Sequence, residues 1–219
     1  MNNIKNSDLF NVSTPYLKNL FDNYQYPWEI LPNVKNYVEF LLKNMPNDFT
    51  ILKDGVLVGK NVTISNLSTI IPPTIIGHNT EIRPGAYIRG NVITGNNCVI
   101  GNSSELKNCI LLENVQVPHF NYVGDSILGN NSHLGAGTVC SNLKSDKSNV
   151  VIHADKNINT NLRKMGAILG DNVEIGCNSV LNPGTIIGKN TRVYPLTSLR
   201  GVIPNDKIVK STNKIVEII

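Results

Sequence analysis

Residues 75–102 read IIGHNTEIRPGAYIRGNVITGNNCVIGN, and an aliphatic residue recurs in them at almost every sixth position. The same spacing runs from Val58 to Leu106, and it returns from Leu169 to Leu199. A period of six is neither the 3.6 of a helix nor the 2 of a free strand, so each repeat is predicted to be a short strand followed by a corner. Three such sides close one coil of about 18 residues, which predicts a mainly β protein, a parallel β-helix of about seven coils.

Two shortenings and one interruption divide the repeat. The spacing falls to five at 106–111 and again at 123–128. Residues 141–166 then lack the repeat and are rich in lysine and arginine. A long segment of this kind is expected to leave a solenoid as a loop, either as a binding surface or as a merely solvated one. We therefore predict a β-helix over 56–203 with an inserted loop at 141–166.

The two ends of the chain do not follow the repeat. Residues 1–55 contain two short amphipathic segments, at 7–23 and 33–44, which are typical of helices. An open β-helix end exposes unpaired strand edges and apolar core, so we expect this part to be a short helical cap. Residues 204–219 are predicted to form a tail that folds back along the coils.

Composition narrows the class of protein. The chain has 219 residues, is 41% hydrophobic and carries a formal charge of +4, without a dense basic run that would indicate nucleic-acid binding. No apolar stretch approaches the length of a membrane span, and the first residues lack the layout of a signal peptide. Its four cysteines show neither zinc spacing nor disulfide density. We therefore expect a cytoplasmic protein with free thiols, in contact with neither nucleic acid nor membrane. The cysteines are Cys98, Cys109, Cys140 and Cys177.

Polar and titratable residues concentrate at the two shortenings of the repeat. They fall within a single coil length: Glu105, Lys107, His119, Asn121 and Tyr122. Residues one coil apart stack on the same side of a β-helix, so these groups are predicted to be neighbours. A surface histidine beside an ordinary salt bridge would have the same sequence, and this alternative stays open. Clustering at a distorted part of the coil favours a functional site.

Two stretches resemble a known family of transferases. ELKNCILLENVQVPHFNYVGDSILGNNSHLGAGT, at 105–138, and RPG, at 83–85, resemble the acetyltransferase half of the bifunctional UDP-N-acetylglucosamine pyrophosphorylase/glucosamine-1-phosphate N-acetyltransferases. SNLKSD, at 141–146, and LRKMGAILGDNVEIG, at 162–176, are more similar to the archaeal-type sugar-1-phosphate nucleotidyltransferase/acetyltransferases. The resemblance covers about residues 80–205, and it implies that the β-helix is left-handed.

The resemblance also implies roles for individual residues. The implied catalytic group is His119 as general base, Glu105 as the carboxylate that orients it, and Asn142 near the sugar amine. The implied binders of the sugar and its phosphate are Arg83, Lys107, Tyr122, His133 and Lys164. Ala136 and Cys177 are expected to line the acetyl-CoA thioester. His133 stands where the first family has asparagine and Leu143 where it has tyrosine, which leaves the identity of the sugar open.

The implied activity is acetyl-CoA-dependent N-acetylation of glucosamine-1-phosphate or galactosamine-1-phosphate by a homotrimer, for nucleotide-sugar synthesis. A histidine suits this chemistry because an ammonium must lose a proton before it attacks a thioester, and no metal is required. A non-catalytic scaffold that binds sugar nucleotides is an alternative. A γ-carbonic-anhydrase-like protein is a weaker one, because the four histidines include no His-x4-His pair. Nucleotidyltransferase activity is not expected, since the first 50 residues cannot hold such a domain.

Overall fold

The computed structural model describes residues 4–211 and 214–217. Its helices are α1 (Asn6–Leu9), α2 (Pro15–Asp22), α3 (Pro27–Ile30) and α4 (Val34–Lys43), with a 3-10 turn at Leu31–Asn33 between the last two. None of the helices in these two ranges is long and apolar enough to span a membrane.

The strands follow the helices along the chain. In order they are β1 (Thr50–Lys53), β2 (Val56–Val58), β3 (Thr63–Ile64), β4 (Thr69–Ile70), β5 (Thr74–Ile76), β6 (Glu81–Ile82), β7 (Tyr87–Ile88), β8 (Val92–Thr94), β9 (Val99–Asn102), β10 (Glu105–Lys107), β11 (Cys109–Leu111), β12 (Gln116–His119), β13 (Tyr122–Gly124), β14 (Ile127–Leu128), β15 (His133–Leu134), β16 (Val139–Cys140), β17 (Val151–His153), β18 (Asn157–Asn159), β19 (Ala167–Leu169), β20 (Glu174–Ile175), β21 (Val180–Leu181), β22 (Thr185–Ile187), β23 (Arg192–Val193), β24 (Ser198–Leu199), β25 (Val202–Ile203), β26 (Lys207–Ser211) and β27 (Lys214–Glu217).

These strands form three parallel sheets, which are the faces of a prism. Face A contains β2, β5, β8, β11, β14, β19, β22 and β25; face B contains β3, β6, β9, β12, β15, β20, β23 and β26; face C contains β4, β7, β10, β13, β16, β21 and β24. Each coil visits A, B and C in turn, so coil 1 is β2 to β4 and coil 7 is β22 to β24. Seven coils are complete, and β25 and β26 begin an eighth. The prediction of a parallel β-helix of about seven coils is confirmed.

The corner between faces A and B explains the abundance of asparagine. One residue of each coil adopts a left-handed backbone conformation there, and in seven coils that residue is asparagine: Asn61, Asn79, Asn97, Asn114, Asn131, Asn172 and Asn190. Asparagine tolerates this conformation better than other residues with a Cβ. The side chains also bond from coil to coil, for example Asn114 Nδ2 to Asn131 Oδ1 at 2.9 Å.

The two shortenings lie at the corner between faces C and A, which we call corner CA. Leu106 pairs with Val123, and Val123 pairs with Cys140, so these coils contain 17 residues instead of 18. The residue is lost after β10 and again after β13. The inward aliphatic residues stay aligned, because the shortening is confined to the turns. Corner CA is therefore one residue shorter after coils 3 and 4 than after coils 1 and 2, and it is shorter again after coil 7, where the inward Leu199 and Ile203 are four residues apart.

The N-terminal helices lie along face A, and this corrects their expected position over the end of the prism. The outward side chains of face A are aliphatic and buried under helix residues such as Leu17 and Val38. Hydrogen bonds fix the segment at several coils; Tyr16 Oη donates to Thr94 O at 2.9 Å. An apolar outer face must be covered, because each fully buried aliphatic side chain contributes roughly 1.5–3 kcal/mol. The outward residues of face A are Leu57, Ile75, Ile93, Ile110, Ile127, Ile168 and Ile186.

The inserted segment, the last strands and the first strand also pack against the faces of the prism. Within 141–166, β17 and β18 form an antiparallel hairpin, and the buried Val150 and Ile152 pack with the outer side of face A. At the other end, β26 continues face B beside β23, so the coil extends beyond residue 203 before β27 turns back antiparallel. The first strand, β1, pairs antiparallel with β2 and covers the opposite edge of face A.

Burial of the outer side of face A has a measurable consequence. Ile110 is fully buried beneath the helices, whereas Ile51 on β1 is 67% exposed. Ile110→Ala is expected to lower the free energy of unfolding by about 2–5 kcal/mol, and Ile51→Ala by less than about 0.5 kcal/mol. Chemical denaturation followed by circular dichroism measures both. Equal, small effects of the two variants would mean that the helices do not cover face A.

Candidate active site

The corner between faces B and C, corner BC, brings together three of the residues singled out from the sequence. His119, Ala136 and Cys177 occupy equivalent positions in coils 4, 5 and 6. Each of their carbonyls accepts a hydrogen bond from a backbone N–H of the next coil, at 2.8–3.0 Å. Adjacent coils are about 4.8 Å apart, so His119 and Cys177 lie about 10 Å apart along one edge.

The buried side chain of Asn121 shapes this corner around His119. Its Oδ1 accepts a hydrogen bond from the His119 N–H at 3.0 Å, and its Nδ2 donates to the carbonyl of Gly135 at 2.8 Å. Phe120, between them, has a φ of 52° and is 63% exposed. Asn121 therefore fixes the turn from inside while His119 and Phe120 face solvent.

Ala136 and Cys177 offer two different groups at the same edge. Among the residues that the structure describes, the N–H of Ala136 has no hydrogen-bond partner. A free N–H of this kind is suited to stabilise an oxyanion. Cys177 is exposed, whereas the other three cysteines are buried. Burial raises the pKa of the Cys98 and Cys140 thiols to about 12 and raises that of Cys109 as well.

Glu105 does not meet His119 within one chain. Glu105 pairs with Tyr122 across face C, whereas the register of β12 sets His119 beside Asn102. The carboxylate of Glu105 instead accepts from Arg89 Nη1 at 2.6 Å. The described part of the chain contains no hydrogen bond between Glu105 and His119 side chains, so the expected orienting contact is not formed in a single copy.

A second polar group occupies corner CA, across face C from His119. Asp125 lies there in the tightened turn, and Lys107 Nζ donates to its two carboxylate oxygens at 3.2 and 3.1 Å. Asn142 Nδ2 donates to Asp125 and, at 3.2 Å, to Tyr122 Oη. Burial, followed by the nearby Asp125 carboxylate, raises the pKa of Tyr122. Lys107, Tyr122 and Asn142 are thus brought together at corner CA.

The other singled-out residues lie farther out. Arg83 is in coil 2 and forms a two-pronged contact with Glu81, at 3.1 Å for each prong. His133 is on face B, where its Nδ1 lies 2.9 Å from Glu174 Oε2. Lys164 is exposed at a bridge to Leu143, next to Asn142 in space because the following residue donates to the Asn142 carbonyl. Arg83 and His133 therefore do not join the group at corner CA.

Sequence reasoning missed Asp125, Asn108 and Arg89. Asn108 Nδ2 donates to Asp125 at 2.9 Å, and Arg89 binds Glu105. The second shortening at 123–128 was the available signal, because a turn that loses one residue in successive coils must be held by specific side chains. Their partners lie 16 to 18 residues away, which local patterns do not reveal.

Comparison with known proteins agrees with the fold. Residues 70–162 match the family model described as the GMPPB C-terminal domain, and residues 166–201 match the bacterial transferase hexapeptide model of six repeats. The chain contains a hexapeptide-repeat domain. One solved structure, a UDP-N-acetylglucosamine acyltransferase, aligns with a TM-score of 0.52 at 19% identity and covers 75% of this chain and 62% of that one. The left-handed β-helix is thereby confirmed.

The relatives that resemble this chain in sequence are described as bifunctional proteins. The bifunctional protein GlmU of Methanococcus vannielii is 34% identical over 192 residues, which are 86% of this chain and 45% of that protein. A bifunctional sugar-1-phosphate nucleotidylyltransferase/acetyltransferase of Sulfurisphaera tokodaii is 34% identical over 174 residues, 77% of this chain and 43% of that protein. The chain spans less than half the length of these relatives. The resemblance to the archaeal-type bifunctional proteins is confirmed.

The exposure of Cys177 predicts a single reactive thiol. Because only a thiolate reacts, a disulfide reagent at pH 8 is expected to modify one cysteine per native chain rapidly. Buried Cys98, Cys109 and Cys140 should react only after unfolding. Cys177→Ser should abolish the fast phase, whereas Cys98→Ser should leave it intact. A second fast-reacting thiol in the native protein would contradict the burial of the core cysteines.

Proposed function

We propose that this protein is an acetyl-CoA-dependent N-acetyltransferase that acts on an amino sugar 1-phosphate, either glucosamine-1-phosphate or galactosamine-1-phosphate. The observation that carries the proposal is the alignment of His119, Ala136 and Cys177 at corner BC. The chain is similar to a bifunctional nucleotidylyltransferase/acetyltransferase. Along this edge, His119 would be the base, the Ala136 N–H would be the oxyanion donor, and the surface up to Cys177 is accessible to a bound co-substrate. The product would supply a nucleotide-sugar pathway.

The proposed chemistry needs one proton acceptor and one oxyanion donor. His119 would take a proton from the sugar amine, whose nitrogen attacks the thioester carbon; the C–N bond forms, the C–S bond breaks, and the CoA thiolate leaves and takes up a proton. General-base assistance typically contributes about 10²- to 10⁴-fold in rate. The Ala136 N–H would stabilise the oxyanion, which is worth about 3–4 kcal/mol for a well-placed donor.

The acetyl-CoA arm fits the edge that runs from His119 past Ala136 to Cys177. Acetyl-CoA supplies the activated acetyl group when it is bound there. The Ala136 N–H, which has no partner among the described residues, and the exposed Cys177 leave this edge accessible from solvent. His119 is exposed at the same edge, so it can receive a proton from a substrate that approaches from solvent.

The acceptor sugar would contact Tyr122 and Asn142, and the exposed Lys164 is the cation proposed for its phosphate. Lys107 and Arg83, which the resemblance also implied, already form ion pairs with Asp125 and Glu81. They would contribute to phosphate binding only as members of those pairs. Because the two corners flank face C, we propose a homotrimer in which adjacent copies bring them into one site.

Replacing His119 gives the direct test of catalysis. His119→Ala is expected to lower kcat about 10²- to 10⁴-fold with glucosamine-1-phosphate or galactosamine-1-phosphate, measured as acetylated product by mass spectrometry. His153→Ala is the matched control, because His153 lies on the inserted hairpin and bonds Asn157. It should retain normal turnover.

Two results would contradict this proposal. Wild-type protein that acetylates neither sugar, although it is folded and assembled, would favour the scaffold that only binds sugar nucleotides. Turnover that survives in His119→Ala at the level of His153→Ala would remove His119 from the mechanism.

The proposed trimer can be tested at two strained apolar residues of corner BC. Phe120 and Leu196 have φ values of 52° and 60° and are 63% and 80% exposed. Holding a residue with a Cβ in this conformation costs roughly 1–2 kcal/mol, which contact with another copy would offset. Phe120→Gly should therefore weaken the trimer in sedimentation equilibrium while leaving the coil folded. Phe40→Ala, at a half-exposed residue of α4, should not; equal behaviour of the two variants would contradict the interface.

A further inference from the structure

Asp125 has the most enclosed charge of the site. It is 5% exposed and lies at corner CA with a φ of 47°. Its carboxylate receives hydrogen bonds from the coils on both sides of its own: from Lys107 and Asn108 at the end of coil 3, and from Asn142 after coil 5. A buried carboxylate is costly unless charge and hydrogen bonds compensate it, and here both do. Asp125 is thus a fixed acceptor around which the other groups are arranged.

The arrangement determines which way the amide of Asn142 points. An amide nitrogen has two hydrogens, and those of Asn142 are directed to Asp125 and to Tyr122 Oη, the latter at 3.2 Å. A carboxylate accepts only, so it selects the amide nitrogen over the amide oxygen. The remaining group, Asn142 Oδ1, is an acceptor, and the side chain is half-buried, not enclosed.

The same hydrogen bond determines whether the Tyr122 hydroxyl acts as donor or acceptor. Its phenolic oxygen accepts from Asn142, so its own O–H is available to donate elsewhere. Corner CA therefore presents one acceptor, Asn142 Oδ1, beside one donor, the Tyr122 O–H. An amino sugar offers N–H donors beside hydroxyl acceptors, which is the complementary pattern.

We propose that Asp125 is a positioning residue that orients Asn142 so that its Oδ1 accepts a hydrogen bond from the amine of the acceptor sugar. The inference rests on the proposed function, and it adds a residue that acts through Asn142 without touching the substrate. Lys107 balances the charge of Asp125 in this role. The acetyl-CoA edge at corner BC lies across face C and does not depend on Asp125.

Asp125→Asn tests the inference, because it keeps the size of the side chain but can accept or donate. The affinity for glucosamine-1-phosphate or galactosamine-1-phosphate, measured by calorimetry without acetyl-CoA, is expected to fall about tenfold or more, the effect of one directed hydrogen bond. The KM for acetyl-CoA should change by less than about twofold. The variant Asp125→Asn/Asn142→Ala should bind the sugar no more weakly than Asn142→Ala, since Asp125 acts through Asn142.

Asp171→Asn is the matched control. Asp171 is also buried, at 6% exposure, and accepts hydrogen bonds from the Asn130 backbone at 2.8 Å and side chain at 2.9 Å, but it lies under the N-terminal helical segment. Its replacement should not change sugar affinity. Equal losses in the Asp125 and Asp171 variants, or no loss in either, would overturn the inference and leave Asp125 a structural residue.

The outcomes separate this inference from the proposed function. Sugar binding without acetyl transfer would defeat the proposed function, and the same titrations would still decide the role of Asp125. A wild-type protein that binds neither sugar would overturn the inference. If Asp125→Asn does not fold, Asn142→Ala decides, because unchanged sugar affinity in that variant would exclude Asn142 Oδ1 as the acceptor.

Discussion

The stacking of each residue on its equivalent one coil away is the constraint on which the whole structure depends. Backbone hydrogen bonds join successive coils on all three faces, and left-handed corner residues keep the coils aligned. An inward aliphatic side chain therefore always meets another inward aliphatic side chain. The same alignment acts outside the prism, where it sets the chemical neighbours of every exposed group. The neighbours of a residue in this fold are therefore set by the equivalent residues of the adjacent coils more than by its neighbours in the sequence.

The three faces of the prism differ in the chemistry of their outer surfaces, and this determines which of them are covered by other segments of the chain. Face A is aliphatic outside and is covered by the N-terminal helices and the inserted hairpin. Faces B and C are not covered by these segments, and the candidate site residues lie at the two corners that flank face C. At corner BC the buried Asn121 holds the turn from inside, and at corner CA the loss of one residue per coil draws Asp125 inward. Both corners are shaped by a buried polar side chain bonded to a neighbouring coil.

Charge at the site is largely compensated within the chain. Lys107 is paired with Asp125, Arg83 with Glu81 and Arg89 with Glu105. The partly exposed pairs of Arg83 and Arg89 contribute little to stability, but all three pairs fix the direction of the groups that surround them. In the proposed site, recognition at corner CA would depend on donor and acceptor direction more than on net positive charge. The resemblance implied Arg83 and Lys107 as binders of the sugar and its phosphate, and within one chain both are held in ion pairs.

The sequence by itself determined the coil, because the six-residue period is a property of the chain and each repeat can bury its aliphatic residue only inside a prism. It also predicted a site at the two shortenings, and the resemblance to a known family added roles for His119, Tyr122 and Asn142. A doubled aliphatic in every third repeat, as in Ile75-Ile76, would have revealed the covered face A. Tertiary structure alone decided that Glu105 meets Arg89 instead of His119, and that Asp125 organises corner CA. Those contacts join neighbouring coils, and a shift of one residue in the register changes every partner.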